Sequence, residues 1–338
     1  MENKYLNELN IIAEVAQGFE GILEQSKLMV KAASFAGADI VKFQLVYADE
    51  LATKDYNIYS FYKKLEMDDE EWSELNMYCK RLKINLCFEI FGKKSLNLAK
   101  SLKIDMVKIH GTDITNINLL ELLGNSDIKN VVLGLGGAYW NEIKKAITIL
   151  NNKSLSLLLG FQGYPTKTED NHIERLRIYK SKVSKIHSNF KIGFADHTQE
   201  KNHQNSISVM SLGAGARVIE KHITLGKIMR IEDYESALNP DEFYEFTKIL
   251  RESYSSLRGS LNREDFGMSK AEKKYRLNIR RHVVSSKKLN VGDIILPEDV
   301  TLKRTSADNF IENLDDVYNK RVKRDIPKNT AITKDQIK

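Results

Sequence analysis

Two histidines stand at the ends of apolar, β-branched runs: His197 closes KIGFADH and His222 closes VIEKH. If both runs are strands finishing side by side, the two imidazoles meet at one rim. Such a pair is either a cation site or a hydrogen-bonding pair. A divalent ion held by two histidines keeps positions open for water and a substrate oxygen, as Lewis-acid work requires. Other reactive side chains end runs of the same kind. Lys42 and Gln44 close DIVKFQ, Glu89 lies in NLCFEIF, and Lys108 and His110 close MVKIHG with Asp113 just beyond. Gln162 falls at the end of LSLLLGFQG with Tyr164 next, and Asp196 and Glu220 accompany the histidines. Glu20, in AQGFEG, follows the first run among glycines that permit close ligand approach.

A lysine within an apolar run is costly unless paired. Three roles are open to Lys42 and Lys108. They form ion pairs with Glu20, Glu89 or Glu220, or they grip a carboxylate or phosphate, or one serves as a Schiff-base lysine, since burial depresses a lysine pKa.

Bringing these groups to one mouth requires a particular architecture. Eight β-branched or apolar runs recur at 11–15, 39–44, 85–91, 106–111, 130–136, 155–163, 191–197 and 216–223. They are near-continuous, as expected of parallel strands buried on both faces. Amphipathic stretches such as EQSKLMVKAASFAG and EEWSELNMYCKRLK lie between them, the second opening after an acidic MDD that suits an N-cap and first turn. Eight β–α pairs in about 250 residues predict a (β/α)8 TIM barrel, whose strand carboxyl ends share one mouth. A doubly wound open sheet is the competing architecture. The regular spacing, and the lack of G-x-G-x-x-G after the first run, argue against it.

The periodicity changes in the last third. Residues 259–277 are polar and read as a linker with a partial helix. From 278 to 338, short pieces (RHVVSS, VTLKR, RVKRDI, AITKDQI) alternate with turn signals VGD, LPED and IPKNT, predicting a small β-rich domain. The barrel then spans 1–258. The net charge of +6 resides wholly in 261–338, with 18 basic against 12 acidic residues. Alternation with acids, and no aromatic stacking pattern, argue against nucleic acid. A cationic lid over an anionic small molecule fits better. No apolar run approaches the roughly 18 residues of a membrane span, and no signal-peptide core opens the chain. Cys79 and Cys87 make neither a disulfide framework nor a metal spacing. A cytoplasmic protein is the expectation.

Taken together, IIAEVAQGFEG, AGADIVKFQ, VKIHGTDITNINLL, GYPT, IGFADHT and LGAGARVIEKHIT, followed by an acidic loop and LNPDEF, resemble the sialic acid synthases, which make N-acetylneuraminic, pseudaminic and legionaminic acids. The tail, with GDIILPEDVTLKR, is similar to that family's antifreeze-like (SAF) domain. The resemblance covers essentially the whole chain. It implies a (β/α)8 barrel, a homodimer in which the small domain is swapped over the partner's site, and condensation of phosphoenolpyruvate with the aldehyde of an N-acetylated amino sugar. By the same resemblance, His197 and His222 hold Mn²⁺ or Mg²⁺, and Glu20 handles a proton or the attacking water. Lys42 and Lys108 face phosphoenolpyruvate. Gln44, Asp113, Tyr164, Asp233 and Arg304 contact the sugar.

The departures from the family pattern cluster on the phosphate side. The family's threonine after the third strand is Glu89 here, and its serine after KI is Gly111. Leu135 replaces the serine of STG, Gln162 the asparagine before YP, and Ala195 the serine of SDHT. Three functions remain: a nonulosonic-acid synthase using phosphoenolpyruvate; an aldolase, lyase or epimerase-like enzyme keeping the sugar and metal without phosphate, with Glu89 or His110 as a new acid or base; and a non-catalytic sugar-binding relative.

Overall fold

The computed structural model describes residues 9–160, 163–198, 204–257 and 264–338. The chain forms two compact units, 1–258 and 259–338. In the first, eight parallel strands close into a barrel in sequence order, β8 pairing back to β1. They are β1 (Asn10–Ala16), β2 (Ile40–Gln44), β3 (Asn85–Glu89), β4 (Met106–Ile109), β5 (Asn130–Gly134), β6 (Ser154–Gly160), β7 (Phe190–Asp196) and β8 (Val218–His222). The helices between them are α1 (Leu23–Phe35), α2 (Ala48–Leu51), α3 (Tyr59–Lys64), α4 (Asp69–Leu82), α5 (Lys93–Ser101), α6 (Ile117–Gly124), α7 (Trp140–Ile149), α8 (Arg175–Val183) and α9 (Gln204–Gly213), and α10 (Pro240–Ser256) follows β8. This is the (β/α)8 TIM barrel that the spacing predicts.

Local chemistry fixes the helix starts. Asp68 accepts from Glu71 N at 2.8 Å while Glu71 Oε2 accepts from Asp68 N at 3.0 Å, a reciprocal cap that begins α4 where the acidic MDD places it. Trp72 of α4, fully buried, meets Phe19, Phe43 and Phe88 edge-on, at centroid distances of 5.5, 6.0 and 5.1 Å. Edge-on aromatic contacts each add about 0.5–1.5 kcal/mol beyond burial. Phe43 and Phe88 follow Lys42 and precede Glu89 in sequence, so this cluster fixes from outside the two strands that carry those charges inward.

The strand period of two sorts the interior into layers. The first is apolar, with Ile12, Ile40, Cys87, Val132, Leu158, Ala195 and Val218 in one cluster. Two residues further along their strands come Glu14, Lys42, Glu89 and Glu220, with Lys108 two after Met106, which packs against that cluster. Another step brings Gln44, His110 and His222. Outward-facing residues instead join the larger core beneath the helices.

The second unit begins with α11 (Lys270–Ile279) among its described residues. β9 (His282–Ser285) and β10 (Val300–Lys303) then pair antiparallel, and single bridges such as Leu289–Ile326 and Val322–Ile337 tie later loops together. Val283, Leu289, Ile295, Val317, Val322 and Ile332 form its separate core. Its β-rich character agrees with the short pieces seen in the sequence. No helix among the described residues is long and apolar enough to cross a membrane.

Candidate active site

A cavity opens at the carboxyl end of the barrel, lined by Glu14, Gln44, Glu89, Lys108, His110, Tyr164, His197, Glu220, His222 and Asp233, with Gly111, Gly134, Gly136 and Gly160 completing its wall. Its floor is a cage of five buried charged groups. Lys42 is fully buried; its Nζ contacts Glu14 Oε2 closely, Glu89 Oε2 at 3.2 Å and Glu220 Oε2 at 3.8 Å. Lys108 Nζ lies 2.7 Å from Glu220 Oε1, 3.7 Å from Glu89 Oε1 and 3.9 Å from Glu14 Oε2. Each ammonium thus meets all three carboxylates.

Glu14 is aimed by an irregularity in its own strand. The β1–β2 register slips between Glu14 and Ala16, and Ala16 takes a φ of 51°. A bulge frees a backbone N–H from the ladder and turns the neighbouring side chain. Here Ala16 N donates to Glu14 Oε1 at 2.6 Å.

Three carboxylates face two ammonium groups, and one proton restores neutrality. Burial, and then the neighbouring Glu220 and Glu89, push the Glu14 carboxyl up to about 7 against the pull of Lys42 and Lys108. For Glu89 burial works against ionisation, but Lys108 and Lys42 outweigh it and hold the group well below its ordinary value. The same two lysines lower Glu220. Burial opposes the charge on Lys42, yet Glu14, Glu220 and Glu89 raise it well above the usual lysine value. Lys42 therefore stays protonated, which disfavours its Schiff-base role.

The rim is different in kind. The rings of His197 and His222 lie 5.2 Å apart, centroid to centroid, and Tyr164 stands edge-on to both at 5.8 and 5.9 Å. Burial lowers His197 to about 4 and takes His222 well below its ordinary value, so both are neutral at pH 7. His197 Nδ1 lies 3.2 Å from the carbonyl of Ala195, which only accepts, so Nδ1 carries the proton and Nε2 the lone pair. Among the described residues, no group of three or more His, Cys, Asp and Glu side chains is arranged around one ion position. The two neutral imidazoles side by side are the groups that could hold a divalent ion, with the remaining positions left to water and substrate. Tyr164 donates from its hydroxyl to the Asp233 carbonyl at 2.6 Å, and burial and Glu232 push the Asp233 carboxyl up to about 6. His110 accepts from Thr112 N on Nδ1 at 3.2 Å, so its neutral ring carries the proton on Nε2. Burial keeps it neutral.

Of the residues expected from sequence, Lys42, Gln44, Glu89, Lys108, Tyr164, His197, His222 and Asp233 come together here. Glu20 does not. It lies exposed in the turn after β1, accepts from Gln25 Nε2 at 3.2 Å, and is not among the cavity residues. The carboxyl that β1 delivers to the site is Glu14, which sequence reasoning passed over. The signal was an acidic residue inside the apolar run IIAEV, two positions beyond inward-facing Ile12. Asp113 is half-buried at the end of a 3₁₀ turn and likewise does not line the cavity. Arg304 is exposed just after β10, where its Nε donates to the Ile279 carbonyl at 3.3 Å within the second unit. Gln162 lies outside the described residues.

Residues 29–261 match the NeuB family and residues 280–338 the SAF domain. The N,N'-diacetyllegionaminic acid synthase of Campylobacter jejuni is 27% identical over 93% of this chain and 97% of its own. An uncharacterized protein of Methanocaldococcus jannaschii is 28% identical over 93% and 90%. The N-acetylneuraminic acid synthetase of Leptospira borgpetersenii, solved with citrate, superposes with a TM-score of 0.72 at 26% identity, over 81% of this chain and 93% of that one. A spore coat polysaccharide biosynthesis protein E from Chromobacterium violaceum, 19% identical, shares the fold over 98% and 100% with a TM-score of 0.82. With the family matched across most of the barrel and a second domain matched behind it, the chain belongs to the NeuB family of sialic acid synthase-like proteins.

Proposed function

We propose that this protein is a metal-dependent enzyme of nonulosonic-acid metabolism that acts at the aldehyde carbon of an N-acetylated amino sugar, making a carbon–carbon bond there. The observation that carries the reading is the pair of neutral imidazoles, His197 and His222, beside Tyr164 at the rim of a barrel whose floor is a charged cage. Mn²⁺ or Mg²⁺ held by these rings would polarise the aldehyde oxygen.

The chain's own residues do the rest. His197 is locked in one tautomer by the Ala195 carbonyl, so its lone pair is preset. Gln44, which accepts from Gln17 Nε2 at 2.7 Å, and the Asp233 loop position the sugar. Glu14, poised near neutrality, holds or releases a proton at the cavity floor. Lys42 and Lys108 stabilise negative charge that develops on a three-carbon partner. Phosphoenolpyruvate is the partner that family resemblance implies. A second reading, in which the sugar and metal half works without phosphate as an aldolase or lyase, is favoured by one observation: Glu89 occupies the cage between both lysines. A dimer and the use of Arg304 from the SAF domain belong to the proposal on the same footing.

The test is turnover with Mn²⁺ and a panel of N-acetylated hexosamines, with phosphoenolpyruvate or pyruvate as partner, scored for sugar consumption and phosphate release. Consumption with phosphate release supports the synthase form, and consumption without it the second form. Failure of any sugar to bind in the presence of metal overturns both.

A further inference from the structure

One cavity side chain belongs to neither the histidine rim nor the charged cage. His110 follows β4 directly, two residues beyond Lys108 and so on the same inward face, one layer nearer the mouth. In the closed order of eight strands, β4 is four places from β8 in either direction. The His110 ring therefore stands across the mouth from His222, on the side that Lys108 serves.

Its protonation is set by the turn it begins. His110 caps the 3₁₀ turn Gly111–Asp113; its Nδ1 accepts from Thr112 N at 3.2 Å, with Thr112 Oγ1 2.7 Å away. A backbone N–H only donates, so the lone pair is on Nδ1 and the proton on Nε2. Burial is the main force that holds the ring below its ordinary value. Lys108 and Lys42 of β2 act with it, against Glu89 of β3 and Asp113 of the turn. A neutral imidazole pinned at the N-terminus of a turn is a hydrogen-bond donor of fixed direction. Its backbone has little freedom to move. A Cβ on Gly111 would come within 2.6 Å of the Gly136 carbonyl oxygen, and one on Gly134 within 2.7 Å of Gly111 N. The ends of β4 and β5 are packed main chain on main chain.

The floor beneath has no comparable donor to spare. Each ammonium group already faces all three carboxylates, so most of its charge is met there. An oxygen that turns negative during a reaction gains most from a preorganised N–H aimed at it.

We propose that His110 is a catalytic residue of this site: its Nε2–H donates to the C2 oxygen of the three-carbon partner as that oxygen takes up negative charge, and the ring stays neutral throughout. In pyruvate the charge arrives when ionised Glu14 takes a C3 proton. The C3–H pair becomes the C2–C3 double bond, and the carbonyl pair moves to oxygen. In phosphoenolpyruvate it arrives after water has added at C2, when the C2–O bond breaks and phosphate leaves with the pair. The role rests on the reading of the cavity as a carbon–carbon bond-forming site, and adds to it a residue that gives a hydrogen bond without giving up its proton.

Two measurements decide it. Nitrogen-15 spectra of the full chain with labelled histidine report the tautomer, and the His110→Gln spectrum identifies the signal. The ring should show a protonated Nε2 and a bare Nδ1, unchanged from about pH 5.5 to pH 8. Pyruvate and phosphoenolpyruvate, added separately with Mg²⁺, are told apart by which one shifts the Nε2 signal. A proton on Nδ1, a ring that titrates in that range, or no Nε2 shift with either compound in large excess overturns the inference. The second measurement uses the sugar and partner found by turnover. His110→Ala should lower kcat about 10²-fold, the cost of one oxyanion donor, with KM changed less than ~3-fold. His110→Gln, whose amide N–H reaches a similar position, should recover roughly 10-fold of that loss. Both deficits should be the same at every pH. A loss confined to one limb of the pH profile would make His110 an acid or base and end the donor role. Absence of turnover with every sugar overturns the reading of the cavity, and the spectra still decide for or against His110.

Discussion

Asp196 and Lys221 form a buried ion pair on the outer face of the barrel, each one residue before an imidazole of the rim. Lys221 Nζ donates to Asp196 Oδ1 at 3.2 Å and to its carbonyl at 3.1 Å, and both side chains are fully buried. Asp196 also accepts from Ser208 Oγ of α9 at 2.5 Å and from Thr198 N at 2.8 Å. Because side chains alternate along a strand, a clamp on the outer face at 196 and 221 fixes the inward direction of 197 and 222. Lys221→Met leaves Asp196 buried without its cation, which costs about 3–5 kcal/mol. We expect that loss in urea unfolding, a weaker Mn²⁺ affinity, and partial recovery of stability in Lys221→Met/Asp196→Asn. A stability unchanged in the single variant would remove the clamp from the account.

Glu14 and Glu20 are six residues apart, and only the first reaches the cavity. Glu14→Gln keeps the shape and removes the proton carrier, so turnover should fall about 10²-fold, the low end for a general acid or base. Glu20→Gln should cost far less. Steady-state rates on the sugar identified by the panel compare the two; a larger loss at Glu20 would return the role to the exposed turn.

Much of this site was legible because parallel strands give their inward positions a period of two. Lys42, Glu89, Lys108, His197 and His222 could be placed at one mouth from run boundaries alone. Glu14 could not, because its direction depends on a bulge at Ala16, and the neighbouring glycines drew attention to Glu20 instead. Which lysine meets which carboxylate was likewise hidden, since the stagger of a closed barrel sets it and no local pattern encodes it. Gly111 reads in the sequence only as a lost serine; its other constraint, a Gly136 carbonyl oxygen that a Cβ would approach to 2.6 Å, comes from the next strand end and is not encoded locally. Sequence reasoning gives Lys221 no role, because its partner Asp196 comes from the neighbouring strand and nothing local to VIEKH encodes that pairing.

The raised pKa of Glu14 makes a signed prediction for stability. Its carboxyl titrates near 4.5 when unperturbed and at about 7 in the fold. Between these values the native state holds the proton that the unfolded state has released, so this group's contribution to stability is full below about 4.5 and is lost as pH rises through about 7. Glu89 and Glu220, whose values are lowered, contribute in the opposite sense, with stability present above their unfolded values and lost as pH falls. The difference between wild type and Glu14→Gln isolates the first effect. Urea unfolding at a series of pH values should show the wild type losing ground to the variant from pH 5 to pH 8. Parallel curves would mean that Glu14 is ionised throughout and that the cage is negative.

His222 separates ion binding from folding more cleanly than any cage residue. It is nearly buried at the end of β8, but its ring faces the cavity, so truncation leaves space that water can enter from the mouth rather than a sealed void. The β8 backbone pairs through β1 and β7 regardless of the ring, and the outer clamp at Lys221 stays in place. His222→Ala should therefore keep the wild-type unfolding midpoint in metal-free buffer to within about 1 kcal/mol, while calorimetric Mn²⁺ binding disappears. The wild type alone should gain stability on adding Mn²⁺, as linkage requires of a ligand that binds only the native state. Stoichiometric Mn²⁺ in the His222→Ala variant would show that the ion sits elsewhere, and the aldehyde-polarising role would leave the rim with it.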